Sequence, residues 1–593
     1  MVKKLWEARP AIKRDSNLYK YEKFISKKFN KKFKNNYKNI LKWSIQNSDI
    51  FWNTIWDFCN VKGLKGKKKI KKSKTFYKNI FLPNSKLNFT ENLLSKDDHS
   101  KAITFISENG YREQRSWKNL KNNAEKLNFF LKKIKIKEKD RVAAYMPNIA
   151  ETVEAFLATL SLGAIWSSCS PDFGTSGVIE RFSQIKPKVL IIGEKYFYNG
   201  KEINVLERVP QILKKINSIK YLIIVNYPGQ RYFKKNYKFK KVKTFIWKDI
   251  KALDSKKLFF KKFDFDQELA ILYSSGTTGK PKCICHRSGG VLLQHLKEHQ
   301  LHCNIKKNDN IFYFTTCGWM MWNWLVSSLA SGATIILYEG SPFTPKIDYL
   351  FNIADKEKIS FFGVGAKYLD YLKQKNIKIK KKYKLKYLKT IASTGSPLMN
   401  ETFEYVYKNI KSNVHLASIS GGTDIVSCFV LGNPLMSVFS GEIQCAGLGM
   451  DVDIFDEKGN SIKQKKGELV CKTPFPSKPI YFWNDKDNKK YLDAYFKKYK
   501  NVWHHGDFCE KTENNGYIIY GRSDATLNAG GVRFGTAELY RVVENIDNII
   551  ECVAVEHSLY NDTEVVLFIK MQPQFNLNED LIKFIKFEIK SNL

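Results

Sequence analysis

The sequence predicts an α/β protein built on large, mostly parallel sheets, and three observations predict it. Short apolar runs such as RVAAYM, KVLIIG and YLIIVN alternate with longer amphipathic stretches such as AETVEAFLATLSLGAI, the alternation that lays helices over a parallel sheet. The clusters rich in glycine and hydroxyls follow apolar runs, and open α/β sheets place their ligands beyond the carboxyl ends of strands. Finally, 593 residues are too many for one core, a length that corresponds to about three or four units.

Taken in order, residues 1–94 are aromatic and basic, with helical spacing in Tyr37, Ile40, Leu41 and Ile45 and again in Phe51, Ile55 and Phe58. Such a stripe predicts helices that bury one face. Pro83 and Asn84 break the pattern, so this segment is expected to cap the unit that follows. Between about 100 and 230 the strand–helix alternation sets in. A second unit is expected to begin with the strand 269–272 and to continue through IFYFTT, TIILYEG, ISFFGVG and KTIASTG.

Composition narrows the function classes. The formal net charge is +42, which in general points to nucleic acid or an anionic membrane. Here lysine far outnumbers arginine and is spread along the chain, whereas a dedicated binder clusters its charge. The densest runs, KGKKKIKKSK (65–74) and KIKKKYKLK (378–386), are expected to be solvated loops. The eleven cysteines lack paired CxxC spacing; CICH at 283–286 has no second half at zinc spacing, so free thiols are expected. No signal-type apolar segment follows the basic N-terminus, and no run approaches the ~18 apolar residues of a membrane helix. A soluble, cytoplasmic protein with no nucleic-acid partner and no membrane insertion is expected.

The stretch YSSGTTGKPK (273–282) follows the apolar run 269–272. Gly276 and Gly279 permit the backbone turns that aim N–H groups at an anion; Ser275, Thr277 and Thr278 add hydroxyls, and Lys280 and Lys282 add charge. The pattern fits a polyphosphate. It is not a Walker A loop, because the glycine spacing is shorter and Pro281 stands where a Ser or Thr would open a helix. Gly/Ser/Thr clusters also make surface turns.

Four further clusters stand out. TTCGWMMWNW (315–324) concentrates tryptophans that offer apolar area and indole N–H donors, although aromatic clusters also build cores. STGSPL (393–398) offers a flat backbone edge on which a base can stack. SISGGTDI (418–425) sets Thr423 beside Asp424 after two glycines, which suits a phosphate-bound magnesium or, alternatively, an Asx-type turn. HHGDF, followed by YGRSDATLNAGGVRFGTAE, supplies Asp507 for two ribose hydroxyls and Arg522 and Arg533 for phosphate or carboxylate.

Taken together and in this order, these stretches resemble the adenylate-forming superfamily of acyl-CoA synthetases, luciferases and peptide-synthetase adenylation domains. Within it, WSIQNSDIFWNTIWDF, SSCSPDFG, TTCGWMMWNW, FSGEIQCAGLGMDV and GRSDATLNAGGVRFGTAELYRVVE are most similar to the acetoacetate–CoA ligase family. The resemblance implies ATP, Mg²⁺ and coenzyme A as cosubstrates and acetoacetate as the acid, activated as an acyl-AMP. Ligases for acetate, propionate or butyrate are the alternative within the enzyme class, and a basic nucleic-acid-binding protein the alternative outside it. Attack of the acid's carboxylate on the α-phosphorus, with pyrophosphate leaving, is then a matter of positioning and charge neutralisation rather than of a nucleophilic side chain.

The resemblance also assigns roles. Ser275, Gly276, Thr277, Thr278 and Lys282 hold the β- and γ-phosphates, and Gly395, Ser396 and Pro397 stack on adenine. Thr423 meets the α-phosphate and Asp424, where many relatives have glutamate, the magnesium. Asp507 holds the ribose, while Arg522 and Arg533 bind ribose and phosphates. Trp319, Trp322, Asn323 and Trp324 are the candidates for a short pocket with a donor for a ketone. Asp524 is the hinge, and Gly530 and Gly531 border the pantetheine tunnel. The implied division is a cap (1–94), a large AMP-binding domain (95–523), and a hinge with a small α+β C-terminal domain (524–593). That last domain ends at EIKSNL, where relatives continue, so it is expected to be incomplete and to lack the adenylation lysine.

Overall fold

A computed structural model describes residues 2–229, 237–254, 257–274, 280–523, 526–529, 532–559 and 562–592. Two large sheets dominate. The first has eight strands in the order Lys243–Ile246, Tyr221–Val225, Val189–Gly193, Arg141–Tyr145, Ile165–Cys169, Glu268–Ser274, Lys282–Arg287 and Tyr481–Phe482. Neighbours run parallel as far as Glu268–Ser274 and antiparallel beyond it. The second has seven: His415–Ser418, Thr390–Thr394, Phe361–Gly365, Asn310–Tyr313, Thr334–Glu339, Lys101–Ser107 and Arg112–Ser116. All its pairs are parallel except the last. Continuous apolar strands such as VLIIG are buried throughout, as strands covered on both faces must be.

The helix Ala150–Ser161 is buried along its whole length and touches Ile165–Cys169 of the first sheet and Lys101–Ser107 of the second. A helix with no solvent-exposed face belongs between layers, and this one joins the two sheets into one core, its Glu151 and Glu154 paired with Arg115 and Lys251. Its Phe156 meets Trp166 and Trp322 edge-on at ring distances of 5.6 and 5.3 Å.

One expectation is corrected here. The strand Glu268–Ser274 belongs to the first sheet, beside Ile165–Cys169, not to the second, while Lys101–Ser107 from the first part of the chain joins the second. Chain order does not fix sheet membership, because either apolar strand could pair with any open parallel edge, and the choice is made by long-range packing.

The cap forms as expected. Helices Asn17–Phe29, Tyr37–Gln46 and Ser48–Phe58 bury Ile25, Ile40, Phe51 and Ile55 in the same cluster that fills the large body. Tyr37 donates to the Ala446 carbonyl, and the Ser44 hydroxyl accepts from the Gly449 N–H at 2.9 Å. After His415–Ser418 the chain turns antiparallel. A three-stranded sheet (Ser420–Gly422, Ser427–Leu431, Cys445–Ala446) and a four-stranded one (Val452–Phe455, Gly467–Cys471, Trp503–Lys511, Tyr517–Arg522) follow. Every pair within these two sheets is antiparallel, and the long connection from Cys471 to Trp503 carries the helix Lys489–Phe496.

The last segment is α+β: hairpins Thr526–Ala529/Val532–Gly535 and Ile549–Leu559/Asp562–Met571 with helices Thr536–Val543 and Glu579–Asn592. It has its own small cluster around Leu539, Val543 and Ile585. The Ser176 hydroxyl donates to Asn592 Oδ1 at 3.1 Å. The lysines of 378–386 are exposed. Among the described residues no helix is long and apolar enough to cross a membrane.

Candidate active site

The strand Glu268–Ser274 carries the chain to the phosphate-type loop and Lys282–Arg287 carries it back, with Ser274 opposite Lys282. Lys282 is half-buried at the mouth of this hairpin. Ser275, Gly276, Thr277 and Thr278 lie outside the described residues. The second strand, not the loop, leads into the helix Ser288–Leu296, which separates this arrangement from the strand–loop–helix of a Walker A site. Cys283, Cys285 and His286 are all buried on the returning strand, and no group among the described residues gathers three or more potential metal ligands.

The turn 423–426 joins Ser420–Gly422 to Ser427–Leu431 and carries Thr423 and Asp424. Asp424 is buried and accepts from the Tyr495 hydroxyl at 2.6 Å. Tyr495 is itself fixed by stacking on Trp503, ring to ring at 3.8 Å. A Cβ on Gly422 would stand 3.1 Å from His505 Cε1 and 3.6 Å from Asp424 Oδ2, so a side chain there would crowd the turn. His286 lies within electrostatic reach of Asp424, yet burial lowers its pKa to about 3 despite the pull of that carboxylate, so the ring is neutral. A carboxylate beside a hydroxyl suits a magnesium that arrives on a polyphosphate, since Mg²⁺ takes one or two carboxylates and completes its shell with phosphate oxygens and water.

Asp507 and Arg522 lie directly opposite each other on neighbouring strands. Arg522 Nη1 donates to Asp507 Oδ1 at 2.7 Å and to the His505 carbonyl at 3.1 Å. The Ser420 hydroxyl reaches Asp507 Oδ2 at 3.5 Å, which ties this pair to the strand that leads into Thr423. On the other side, Thr394 donates to the Ile419 carbonyl at 2.9 Å. The turn that follows, with Gly395 at φ 94° and Ser396 and Pro397 half-buried, therefore borders the same strand. The structure thus brings 395–397, Thr423, Asp424, Asp507 and Arg522 about the strand Ser420–Gly422, while Lys282 begins the strand that carries His286, on which the Asp424 charge acts.

The tryptophan cluster divides. Trp319 is half-buried just before the helix Met320–Ser327. Trp322 and Trp324 are in the core, their indole N–H groups donating to Asn148 Oδ1 at 3.0 Å and Glu298 Oε2 at 2.9 Å. Asn323 between them is buried, and neither of its amide atoms has a protein hydrogen-bond partner among the described residues. Arg533 sits on the strand Val532–Gly535 opposite Asn528; Asp524, Gly530 and Gly531 lie outside the described residues.

Several contributors receive no role from the motifs. Ser420 and His505 lie inside SISGGTDI and HHGDF without an assignment, whereas Tyr495 and Asn148 lie outside every motif, and all shape the site through contacts made far along the chain. Asn148 donates its side-chain amide to the carbonyls of Thr315 and Tyr338, both at 3.2 Å, and its backbone N–H to Glu339 at 2.6 Å, pinning the carboxyl ends of the two sheets together. Burial pushes the Glu339 carboxyl up to about 8.

Comparison with known proteins agrees with this geometry. The family model of AMP-binding enzymes matches residues 95–481. An acetoacetyl-coenzyme A synthetase of Rhizobium meliloti (strain 1021) is 46% identical over 549 residues, covering 93% of this chain and 84% of the relative. An acetoacetyl-CoA synthetase of Gallus gallus is 40% identical over 563 residues, with 93% and 84% covered. The solved structure of an acetoacetyl-CoA synthetase from Streptomyces lividans superposes with a TM-score of 0.84 at 32% identity, over 100% of this chain and 90% of that one.

Proposed function

The chain belongs to the AMP-binding enzyme family, and from that premise we propose that it joins acetoacetate to coenzyme A at the expense of ATP. The acid's carboxylate attacks the α-phosphorus of MgATP, forming acetoacetyl-AMP and releasing pyrophosphate; the thiol of coenzyme A then displaces AMP and gives up its proton. The observation that carries the reading is the convergence of 395–397, the turn 423–426 and the Asp507–Arg522 pair beside the phosphate-type hairpin. We read these as an adenine edge, a magnesium-phosphate turn and a ribose carboxylate set along one strand.

In this reading Asp507 accepts from the ribose hydroxyls, Thr423 donates to the α-phosphate and Asp424 meets its magnesium, with Arg522 and Arg533 balancing phosphate charge. Ser275, Gly276, Thr277, Thr278 and Lys282 hold the outer phosphates. The bare amide of Asn323 supports acetoacetate over a simple alkanoate, because its N–H₂ is suited to a ketone oxygen and Trp319 supplies an apolar wall. Asp524 serves as the hinge, and Gly530 and Gly531 line the thiol's approach. The division into a cap (1–94), a large domain (95–523) and a C-terminal unit (524–593) is supported by the family match, which begins at 95. A cytoplasmic location accords with eleven free cysteines. ATP–pyrophosphate exchange across acetoacetate, acetate, propionate and butyrate tests the reading; exchange driven better by acetate or butyrate than by acetoacetate refutes the acid assigned.

A further inference from the structure

The helix Ser288–Leu296 continues as the π-helical segment Lys297–His302 into the heart of the large body. There Lys297 and Glu298 are fully buried, 0% exposed, with Nζ and Oε1 3.4 Å apart. Desolvation makes such a pair a poor source of stability, so the other contacts of Glu298 deserve a reason. Oε1 accepts from the Ser427 hydroxyl and, at 3.3 Å, from the Cys428 N–H. Oε2 accepts the Trp324 indole N–H at 2.9 Å. Ser427 and Cys428 open the strand that leaves the turn 423–426, and Trp324 adjoins Asn323 on the helix Met320–Ser327.

The turn itself is strained. Val426 sits at φ 46°, a left-handed conformation that a β-branched residue takes only when its surroundings force it. The forcing contacts come from the same buried helix. One turn before Glu298, His295 Nε2 donates to the Val426 carbonyl at 2.6 Å, and Glu298 holds the next two residues.

We propose that Glu298, together with His295, is a positioning residue that holds the strained turn 423–426 in the geometry that receives magnesium-bound ATP and locks it to the helix carrying Asn323. The proposal rests on the reading above that Thr423 and Asp424 meet MgATP. Glu298 touches no substrate; it acts through Ser427, Cys428 and Trp324.

The test is calorimetric titration of the full chain with ATP, once with Mg²⁺ and once with EDTA, alongside melting temperature. Glu298→Gln removes the charge and leaves one acceptor oxygen where two were used, so an NH₂ must face either the Trp324 donor or the Ser427 and Cys428 donors, while Ser427→Ala removes one contact and leaves the ion pair in place. Each should cut the magnesium-dependent gain in ATP affinity about tenfold, the weight of a hydrogen bond to a charged group, with affinity in EDTA changed by less than about twofold. Ser427→Thr, which keeps the hydroxyl, should restore the gain. If Glu298→Gln does not fold, Ser427→Ala decides. A full magnesium-dependent gain in Ser427→Ala overturns the proposal, as does an equal loss with and without magnesium, which would mark a purely structural contact. Asp424→Ala separates the two levels. If it keeps the gain, the turn does not receive MgATP and the reading beneath the proposal falls; if it abolishes the gain while Ser427→Ala retains it, only the role of Glu298 falls.

Discussion

Asp507→Asn is the most informative single change, because the same carboxylate is asked to do two things. It is buried and bonded to Arg522 at 2.7 Å, and in the proposed reading it also accepts from the ribose. Removing one partner of a buried ion pair costs about 3–5 kcal/mol when nothing replaces it. Here the asparagine oxygen still accepts, and Arg522 keeps the His505 carbonyl at 3.1 Å, so a loss below that range is expected and the protein should remain folded. The ribose hydrogen bonds, made to a charged acceptor, are worth about 1.5–3 kcal/mol. The two effects are separated by comparing ATP with an analogue lacking both ribose hydroxyls. The native chain should prefer ATP by roughly 10- to 150-fold, the same energy expressed as affinity. In Asp507→Asn that preference should fall to within about threefold, since protein and ligand changes that remove one interaction are not additive. A variant that melts lower yet keeps the full preference would show that Asp507 serves only Arg522, and would refute the ribose assignment.

Three other outcomes follow from the site. Lys282→Ala, at the half-buried mouth of the phosphate hairpin, should lower the rate at limiting ATP with melting unchanged; an unchanged rate would remove this hairpin from the nucleotide grip. Butyrate, which lacks the ketone that the buried amide of Asn323 would satisfy, should fall short of acetoacetate in kcat/KM by up to ~10⁴-fold; parity would refute the β-keto reading. For Glu339 the folded-state pKa is raised to about 8 from 4.5, so the protonated carboxyl is tolerated at low pH. Stability is then lost as pH rises from the unfolded value through about 8, at about 1.4 kcal/mol per pH unit. Glu339→Gln, whose oxygen can still accept from Asn148, should therefore melt close to the native chain at pH 5 and above it at pH 8, and a pH-independent offset would contradict the burial argument.

How much of this was legible in the sequence depends on the range of the interaction. Parallel strands announce themselves because continuous apolar runs such as VLIIG have no other stable fate than burial on both faces. Which sheet each joins is not announced, as Lys101–Ser107 and Glu268–Ser274 show by each joining the sheet opposite to the one that chain order implies. The turn residues Thr423 and Asp424 were legible because turn chemistry is local. The Ser420–Asp507 contact and the Tyr495 hydroxyl on Asp424 were not, since nothing in KKYLDAYF marks one tyrosine as a second-layer partner. The tryptophans misdirect for a plain reason. Trp buries the most area of any side chain, so Trp322 and Trp324 went to the core and left the polar Asn323 between them as the residue with an unmet need.

The polar groups behind the site make the same point from the side of energy. Asn148, Glu298 and Glu339 are all buried, and a chain selected for stability alone would do as well or better with apolar residues in their places. Each instead bonds groups at strand ends or in the loops just beyond them, and Glu298 reaches the helix Met320–Ser327 as well. Asn148 holds the carbonyls of Thr315 and Tyr338, Glu339 holds the N–H of Asn148, and Glu298 holds the strand after the turn 423–426. Apolar packing resists compression but does not fix the rotation of a peptide group, whereas a hydrogen bond to its N–H or C=O does. Adenylate formation depends on placing phosphate, metal and carboxylate within fractions of an ångström. Desolvated polar struts at these three points are therefore explained by the site they hold rather than by the fold they inhabit.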